Sequence, residues 1–154
     1  MSELDAGAKA PEFEMAGEKG PIRLSDFAGK ALVLYFYPKD DTSGCTKEAQ
    51  EFSALAGDFT AAGVAVLGVS KDTVASHGKF TAKYGLEVPL GSDPEGATIE
   101  AYGAWVEKSM YGRKYMGIDR STFLIDGAGV IRRAWRKVKV PGHAAEVLKA
   151  ALAL

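Results

Sequence analysis

Cys45 is the only cysteine in a chain of 154 residues, and the residue types around it favour reactivity. It follows a polar stretch, Asp40-Asp41-Thr42-Ser43-Gly44, and precedes Thr46, Lys47 and Glu48. A lone thiol is ordinarily a small buried hydrophobe without chemistry. Here hydroxyls and a cation flank it in place of an apolar run. The thiolate, not the thiol, is the nucleophile. At a helix start, unpaired backbone N–H groups and the positive end of the helix dipole both favour the thiolate.

The flanking segments predict that placement. Ala31 to Tyr37 is a continuous apolar and aromatic run, the length of a buried strand. Pro38 cannot donate to a ladder and ends it, and Asp40 to Gly44 have loop chemistry. Ala49, Phe52, Leu55, Ala56 and Phe59 then recur at helical spacing. Cys45 therefore falls in or near the first turn of a helix that follows a strand. Gly63 breaks the pattern, and Val64 to Ser70 reads as a second buried strand. Two such strands around one helix predict a right-handed βαβ unit with a parallel pair.

The remaining segments are read more briefly. Met1 to Lys9 is small and polar and is expected to be poorly ordered. Gly17 to Pro21 predicts a turn, Ile22 to Leu24 a short strand, and Ser25 a cap on a turn through Asp26 and Phe27. Asp72 or Thr73 caps a helix that runs to Tyr84 and stops at Gly85. Ser92 to Gly96 is a turn, followed by a short helix from Ala97 to Tyr102. Trp105 to Gly117 carries no clear period. Ser121 to Ile125 and Val130 to Lys137 predict a hairpin across Asp126-Gly127-Ala128-Gly129, and a last helix begins at His143. This order fits a single α/β or α+β domain over residues 1–154.

Composition excludes several classes. Apolar content of 47%, charged content of 25% and a net charge of −1 are those of a globular protein with no electrostatic reason to bind nucleic acid or a membrane surface. No apolar run approaches the ~20 residues of a spanning helix. The N-terminus has no signal-peptide pattern, so the cytoplasm is the expected compartment. One cysteine excludes an intrachain disulfide and a multi-cysteine zinc site.

Pro38, Thr42 and Cys45 form Pro-x-x-x-Thr-x-x-Cys, and with this spacing the chain resembles the peroxiredoxins, the thiol peroxidases. Tyr35-Phe36-Tyr37-Pro38-Lys39-Asp40 and Gly44-Cys45-Thr46 are most similar to the bacterioferritin-comigratory-protein branch, peroxiredoxin Q. The resemblance runs from about Ala10 to Leu148. It includes Ala10-Pro11-Glu12-Phe13, Gly68-Val69-Ser70, Tyr102-Gly103-Ala104-Trp105 and Arg120-Ser121-Thr122-Phe123. It implies a thioredoxin-like fold, a central mixed β-sheet flanked by helices. It implies that Cys45 attacks a hydroperoxide, that the Thr42 hydroxyl holds the peroxide, and that Pro38 shields the thiolate. It implies that Arg120 contacts the peroxide and favours the thiolate. Backbone N–H groups at Gly44 and Cys45 add donors, and Glu48, one turn after Cys45, orients the arginine. Arg120 is expected before a strand that lies beside the Ala31–Tyr37 strand.

One departure bears on mechanism. Where many members carry a resolving cysteine, this chain has Gln50 or, in the following helix, Thr81. With no resolving cysteine, a Cys45 sulfenic acid has no internal thiol to condense with. The expected cycle is that of a one-cysteine enzyme, a monomer recycled by an outside thiol (glutathione with glutaredoxin, or thioredoxin), or one that links two chains through Cys45. No cofactor or metal is expected. The rival readings are a redox sensor or chaperone-like binder switched by Cys45 oxidation, and a thiol-transferase, which usually wants a Cys-x-x-Cys pair.

Other candidates are weaker. His77 is expected to be solvated in mid-helix, and His143 to be a cap or surface group. Arg132, Arg133, Arg136, Lys137 and Lys139, with Trp135 among them, read as a solvated strand face. Tyr102, Trp105, Tyr111 and Tyr115 are either core or an apolar rim for organic hydroperoxides.

Overall fold

A computed structural model describes residues 4–154. Among the described residues nine strands form, β1 (Glu14–Gly17), β2 (Gly20–Arg23), β3 (Ala31–Phe36), β4 (Val64–Ser70), β5 (Leu90–Ser92), β6 (Trp105–Met110), β7 (Arg113–Ile118), β8 (Ser121–Ile125) and β9 (Ile131–Trp135). Five α-helices join them, α1 (Ser43–Ala54), α2 (Ala56–Ala61), α3 (Val74–Tyr84), α4 (Ala97–Ala101) and α5 (His143–Leu152). Seven strands make one sheet in the order β2-β1-β5-β4-β3-β8-β9, and β6 and β7 pair apart from it.

The sheet is mixed. The expected parallel pair is β3 with β4, in register from Ala31 opposite Val64 to Phe36 opposite Val69. On its other side β3 meets β8 antiparallel, with Phe36 opposite Ser121. Both central strands are apolar on both faces because both faces are covered. Val33, Tyr35 and Tyr37 join Phe52, Phe59, Phe80 and Val147 on one side. Leu32, Leu34 and Phe36 join Phe13, Ile99, Tyr102 and Phe123 on the other. The period of two along β3 thus divides its side chains between two layers of core.

Local chemistry sets the boundaries. Thr73 caps α3 by accepting from the Ser76 N–H, and Gly85 ends it in the left-handed region at φ 60°. The helical pattern after Cys45 is two helices, not one: the Leu55 N–H bonds to the Phe52 carbonyl, three residues back, and the ladder restarts at α2. Ser25 is not a cap. The turn at Leu24–Phe27 is capped at Arg23, whose N–H donates to the Asp26 carboxylate at 2.9 Å.

Within the N-terminal stretch, Gly7 to Ala10 pair with the segment around Val130. The Gly7 N–H donates to the Ile131 carbonyl (2.7 Å), the Ile131 N–H to the Ala8 carbonyl (2.8 Å) and the Ala10 N–H to the Gly129 carbonyl (2.8 Å). The segment covers the start of β9, where the Ile131 backbone groups would otherwise lack partners. Met1 to Glu3 lie outside the described residues. Trp105 to Gly117, which showed no clear period, is most of the β6–β7 ribbon, half-exposed on both faces and therefore without an alternating core pattern. Among the described residues no helix is long and apolar enough to cross a membrane.

Candidate active site

Cys45 is the third residue of α1. Thr42 is the N-cap, in extended conformation, and its carbonyl accepts the first helical bond, from the Thr46 N–H at 2.8 Å. The N–H groups of Ser43, Gly44 and Cys45 therefore have no acceptor within the helix. The Thr42 hydroxyl donates to the Lys39 carbonyl at 2.9 Å, which folds the loop back on itself. Pro38 stands exposed just past the end of β3. Cys45 itself is only 2% exposed.

Arg120 immediately precedes β8, and the antiparallel register sets that strand start against the end of β3. Its guanidinium reaches two partners. Nη2 donates to Cys45 Sγ at 3.4 Å, and Nη1 donates to Glu48 Oε1 at 2.6 Å. Glu48 lies one turn beyond Cys45 on the same helix face, so one planar fork spans both residues. Gly44 belongs to this geometry as well: a Cβ there would stand 3.2 Å from Arg120 Nη2. The structure thus brings Cys45, Gly44, Glu48 and Arg120 together, with Thr42 at the head of the same helix.

The electrostatics are those of a cation clamped between a carboxylate and a sulfur. Burial pushes the Glu48 carboxyl up to about 7, and Arg120 offsets only part of that. Burial works against the Arg120 cation, but Glu48 and Cys45 raise its pKa above the usual arginine value. Glu48 Oε2 and the Tyr35 hydroxyl are buried without hydrogen-bond partners. Burial, and then the Glu48 charge, raise Tyr35 well above the usual phenol range, which keeps it neutral. Tyr35 stacks on Phe52 at 4.6 Å between ring centres and forms part of the floor beneath α1. A cysteine sulfur held against a guanidinium, at a helix N-terminus, can as a thiolate attack an electrophilic oxygen while the guanidinium and the free N–H groups donate hydrogen bonds to the atom that leaves.

Sequence reasoning missed a second polar cluster beside the loop. His77 is not solvated: it is fully buried, with Nδ1 at 2.8 Å from Asp40 Oδ2 and Nε2 at 3.0 Å from the Gly91 carbonyl. The signal was present, because His77, Phe80 and Tyr84 lie on one helix face and Phe80 is core. Asp40, Asp72 and His77 offer metal-ligand atoms within 4.8 Å of one another. Those atoms are already engaged, Asp40 with Tyr37 and Ser76 as well as His77, and Asp72 with Ser70 and the Asp40 N–H. His143 is neither cap nor surface: Gly142 is the N-cap, and the imidazole is buried with Nε2 2.8 Å from Thr122 Oγ1. Burial pulls its pKa down to about 4, so the ring is neutral.

The four aromatics do not form one rim. Tyr102 is core, Trp105 is half-buried under the Lys71 ammonium, and Tyr111 and Tyr115 are exposed on the ribbon. On the basic run, Arg132 pairs with Asp126 and Arg133 with Glu146, which also accepts from Trp135.

Comparison with known proteins places this geometry. The model of the AhpC/TSA family matches residues 6–134. A putative peroxiredoxin bcp of Coxiella burnetii is 50% identical over 94% of this chain and 97% of its own. Among solved structures, a mutant of Xylella fastidiosa PrxQ superposes with a TM-score of 0.93 at 42% identity, covering 99% of this chain and 98% of that one. The Xanthomonas campestris bacterioferritin comigratory protein, studied for alkyl peroxide reduction activity, superposes with a TM-score of 0.87 at 47% identity, covering 92% and 90%. The chain has the thioredoxin-like peroxiredoxin fold and belongs to the AhpC/TSA family, in its peroxiredoxin Bcp/PrxQ branch.

Proposed function

We propose that this protein is a thiol-dependent peroxidase that reduces hydrogen peroxide and organic hydroperoxides through Cys45. The Cys45 thiolate attacks the terminal peroxide oxygen. A sulfur–oxygen bond forms as the O–O bond breaks, and water or an alcohol leaves after protonation. Arg120 donates to the reacting oxygens, and Glu48 holds its other arm. The Gly44 and Cys45 N–H groups supply further donors, the Thr42 oxygen, whose proton goes to the Lys39 carbonyl, holds the hydroperoxide by accepting from its O–H, and Pro38 covers the loop side. The observation that carries this reading is the Arg120 fork, one arm on the single cysteine and the other on a buried carboxylate.

The product is a Cys45 sulfenic acid. No second cysteine exists in the chain to condense with it, so an external thiol completes the cycle. That thiol attacks the sulfenic sulfur and expels water, and a second thiol releases the mixed disulfide. Glutathione with glutaredoxin, or thioredoxin, fits this role, and the protein acts as a cytoplasmic monomer. One sheet running between both layers of core supports reading residues 1–154 as a single domain.

The test is a single turnover without reductant. Reduced protein mixed with hydrogen peroxide, then with cumene hydroperoxide, is expected to consume one equivalent and gain one oxygen at Cys45, and Cys45→Ser to consume none. Arg120→Ala should slow the step by about 100-fold, the usual loss for one donor to a developing oxyanion. A wild-type rate no better than that of a free thiol overturns the peroxidase and leaves the sensor reading. An unchanged rate in Arg120→Ala overturns the assignment of the arginine.

A further inference from the structure

Glu48 grips Arg120 with one oxygen and leaves the other idle. Oε1 accepts from Nη1 at 2.6 Å, while Oε2 is buried without a hydrogen-bond partner. The Glu48 side chain is 1% exposed and Cys45 is 2% exposed. A single guanidinium joins them, with Nη2 at 3.4 Å from Sγ. Two acidic groups thus share one cation in a site nearly closed to water. That count limits the charges. A thiolate together with a carboxylate would set two buried anions against one cation, an arrangement that favours protonating one of them. A thiol together with a carboxylic acid would leave the largely buried Arg120 without a counter-charge. The balanced arrangement leaves one proton on the pair. The neighbours do not alter the count. Glu51, further along α1, adds negative charge, Tyr35 on β3 is kept neutral by burial, and the His143 ring at the start of α5 is neutral. As a carboxylate, Glu48 holds Oε2 as a buried charged acceptor with no donor. Protonated at Oε2 it is neutral, and Oε1 still accepts from Nη1. Burial has moved this carboxyl up to about 7, where it takes and gives a proton at neutral pH.

We propose that Glu48 is the proton acceptor for the Cys45 thiol: Oε2 gains a proton as the thiolate forms, and the two groups hold one proton between them across Arg120. This deepens the peroxidase reading and rests on it. Thiol and carboxylate become thiolate and carboxylic acid, with no change in net charge. The thiolate then attacks the terminal peroxide oxygen. Its electron pair forms the sulfur–oxygen bond, and the O–O bond breaks onto the leaving oxygen, so sulfur is oxidised and the peroxide reduced. The leaving oxygen gains a proton and Glu48 gives one up. The sulfenic sulfur is neutral, and the Glu48 carboxylate alone now balances Arg120. The guanidinium therefore keeps one anionic partner before and after the reaction.

A shared proton has a spectroscopic signature that a purely structural carboxylate lacks. Infrared spectra of the reduced full chain are recorded in deuterated solution at neutral pH, for wild type, Glu48→Gln and Cys45→Ser. Wild type is expected to show the carbonyl stretch of a protonated carboxylic acid, and Glu48→Gln to lose it, which assigns the band. In Cys45→Ser the serine takes no charge and Glu48 has Arg120 to itself. The carboxyl should then ionise, and the band should weaken by about twofold or more. That comparison needs no Glu48 variant, so it stands even if Glu48→Gln fails to fold. No acid band in wild type, or a band of equal strength in Cys45→Ser, overturns the shared proton. Peroxide consumption is followed separately by stopped flow on the wild type. A wild type that shows the linked band but reacts no faster than a free thiol overturns the peroxidase reading and leaves the proton pair standing. A fast reaction without the linked band does the reverse.

Discussion

A methyl group at Gly44 would press on the Arg120 guanidinium, and that arm cannot simply swing aside because Glu48 holds the other. Gly44→Ala should therefore displace Nη2 from Cys45 by a few tenths of an ångström and slow the peroxide step by about threefold to tenfold, read by stopped flow; sub-ångström misplacement has that scale of effect. A wild-type rate would show that the guanidinium is not fixed. Glu48 makes a prediction of opposite character. Its folded pKa, about 7, lies above its ordinary value of 4.5. Below 4.5 it is protonated in both states and has no effect on stability through this term. As pH rises toward 7 the unfolded chain ionises first, so the folded state loses ground, and above 7 the cost is complete. The gap in unfolding free energy between Glu48→Gln and wild type should grow, in favour of the variant, by about 3 kcal/mol from acid to mildly alkaline pH. Denaturant titration at both ends checks it. A gap that stays flat would mean the carboxyl titrates at its ordinary value in the folded protein. Cys45 and its neighbours were legible because their types contradict a buried apolar setting. The burial of His77 could have been read from the face it shares with Phe80, but its partners could not: Asp40 lies 37 residues away and the Gly91 carbonyl comes from a strand.

The central elements could be read because each carries its own reason. β3 and β4 are apolar runs of strand length, α3 has a capping threonine and a terminating glycine, and α1 follows a proline and a loop. β1 and β5 were missed. Each is short, and β5 owes its existence to β4, which it pairs from Gly68 opposite Leu90 to Ser70 opposite Ser92. Glycine at 68 also has a physical cause within the sheet. A Cβ there would fall 2.6 Å from Tyr35 Cζ and 2.9 Å from a Leu90 methyl. The Tyr35 ring lies across β4 because its opposite number has no side chain. Gly68→Ala should thus cost about 1–3 kcal/mol in chemical unfolding, the range for overpacking a filled core. It should also lower the peroxide rate, since Tyr35 stacks on Phe52 of the cysteine-bearing helix. Unfolding at the wild-type midpoint would mean that the ring has room to tilt.

Taken whole, the molecule places its reactive parts at one end of the central strands, where β3 ends, β8 begins and α1 starts. The lone cysteine belongs to that end, and the absence of a second one from the sequence makes the route of an outside thiol part of the catalytic problem. The β6–β7 ribbon has a different standing. It pairs only with itself, its turn holds Tyr111 at φ 52° and Gly112 at φ 78°, and Tyr111 is 99% exposed. Added chain length at such a tip lengthens an already open loop and costs little closure entropy. A flexible insert of about six residues between Tyr111 and Gly112 should therefore shift the melting midpoint by no more than about 2 °C and leave peroxide turnover intact. Loss of turnover would reveal that the tip touches the reaction. If turnover survives, this corner is a handle: a fluorophore or an affinity tag can be carried there, and the one thiol stays free for chemistry.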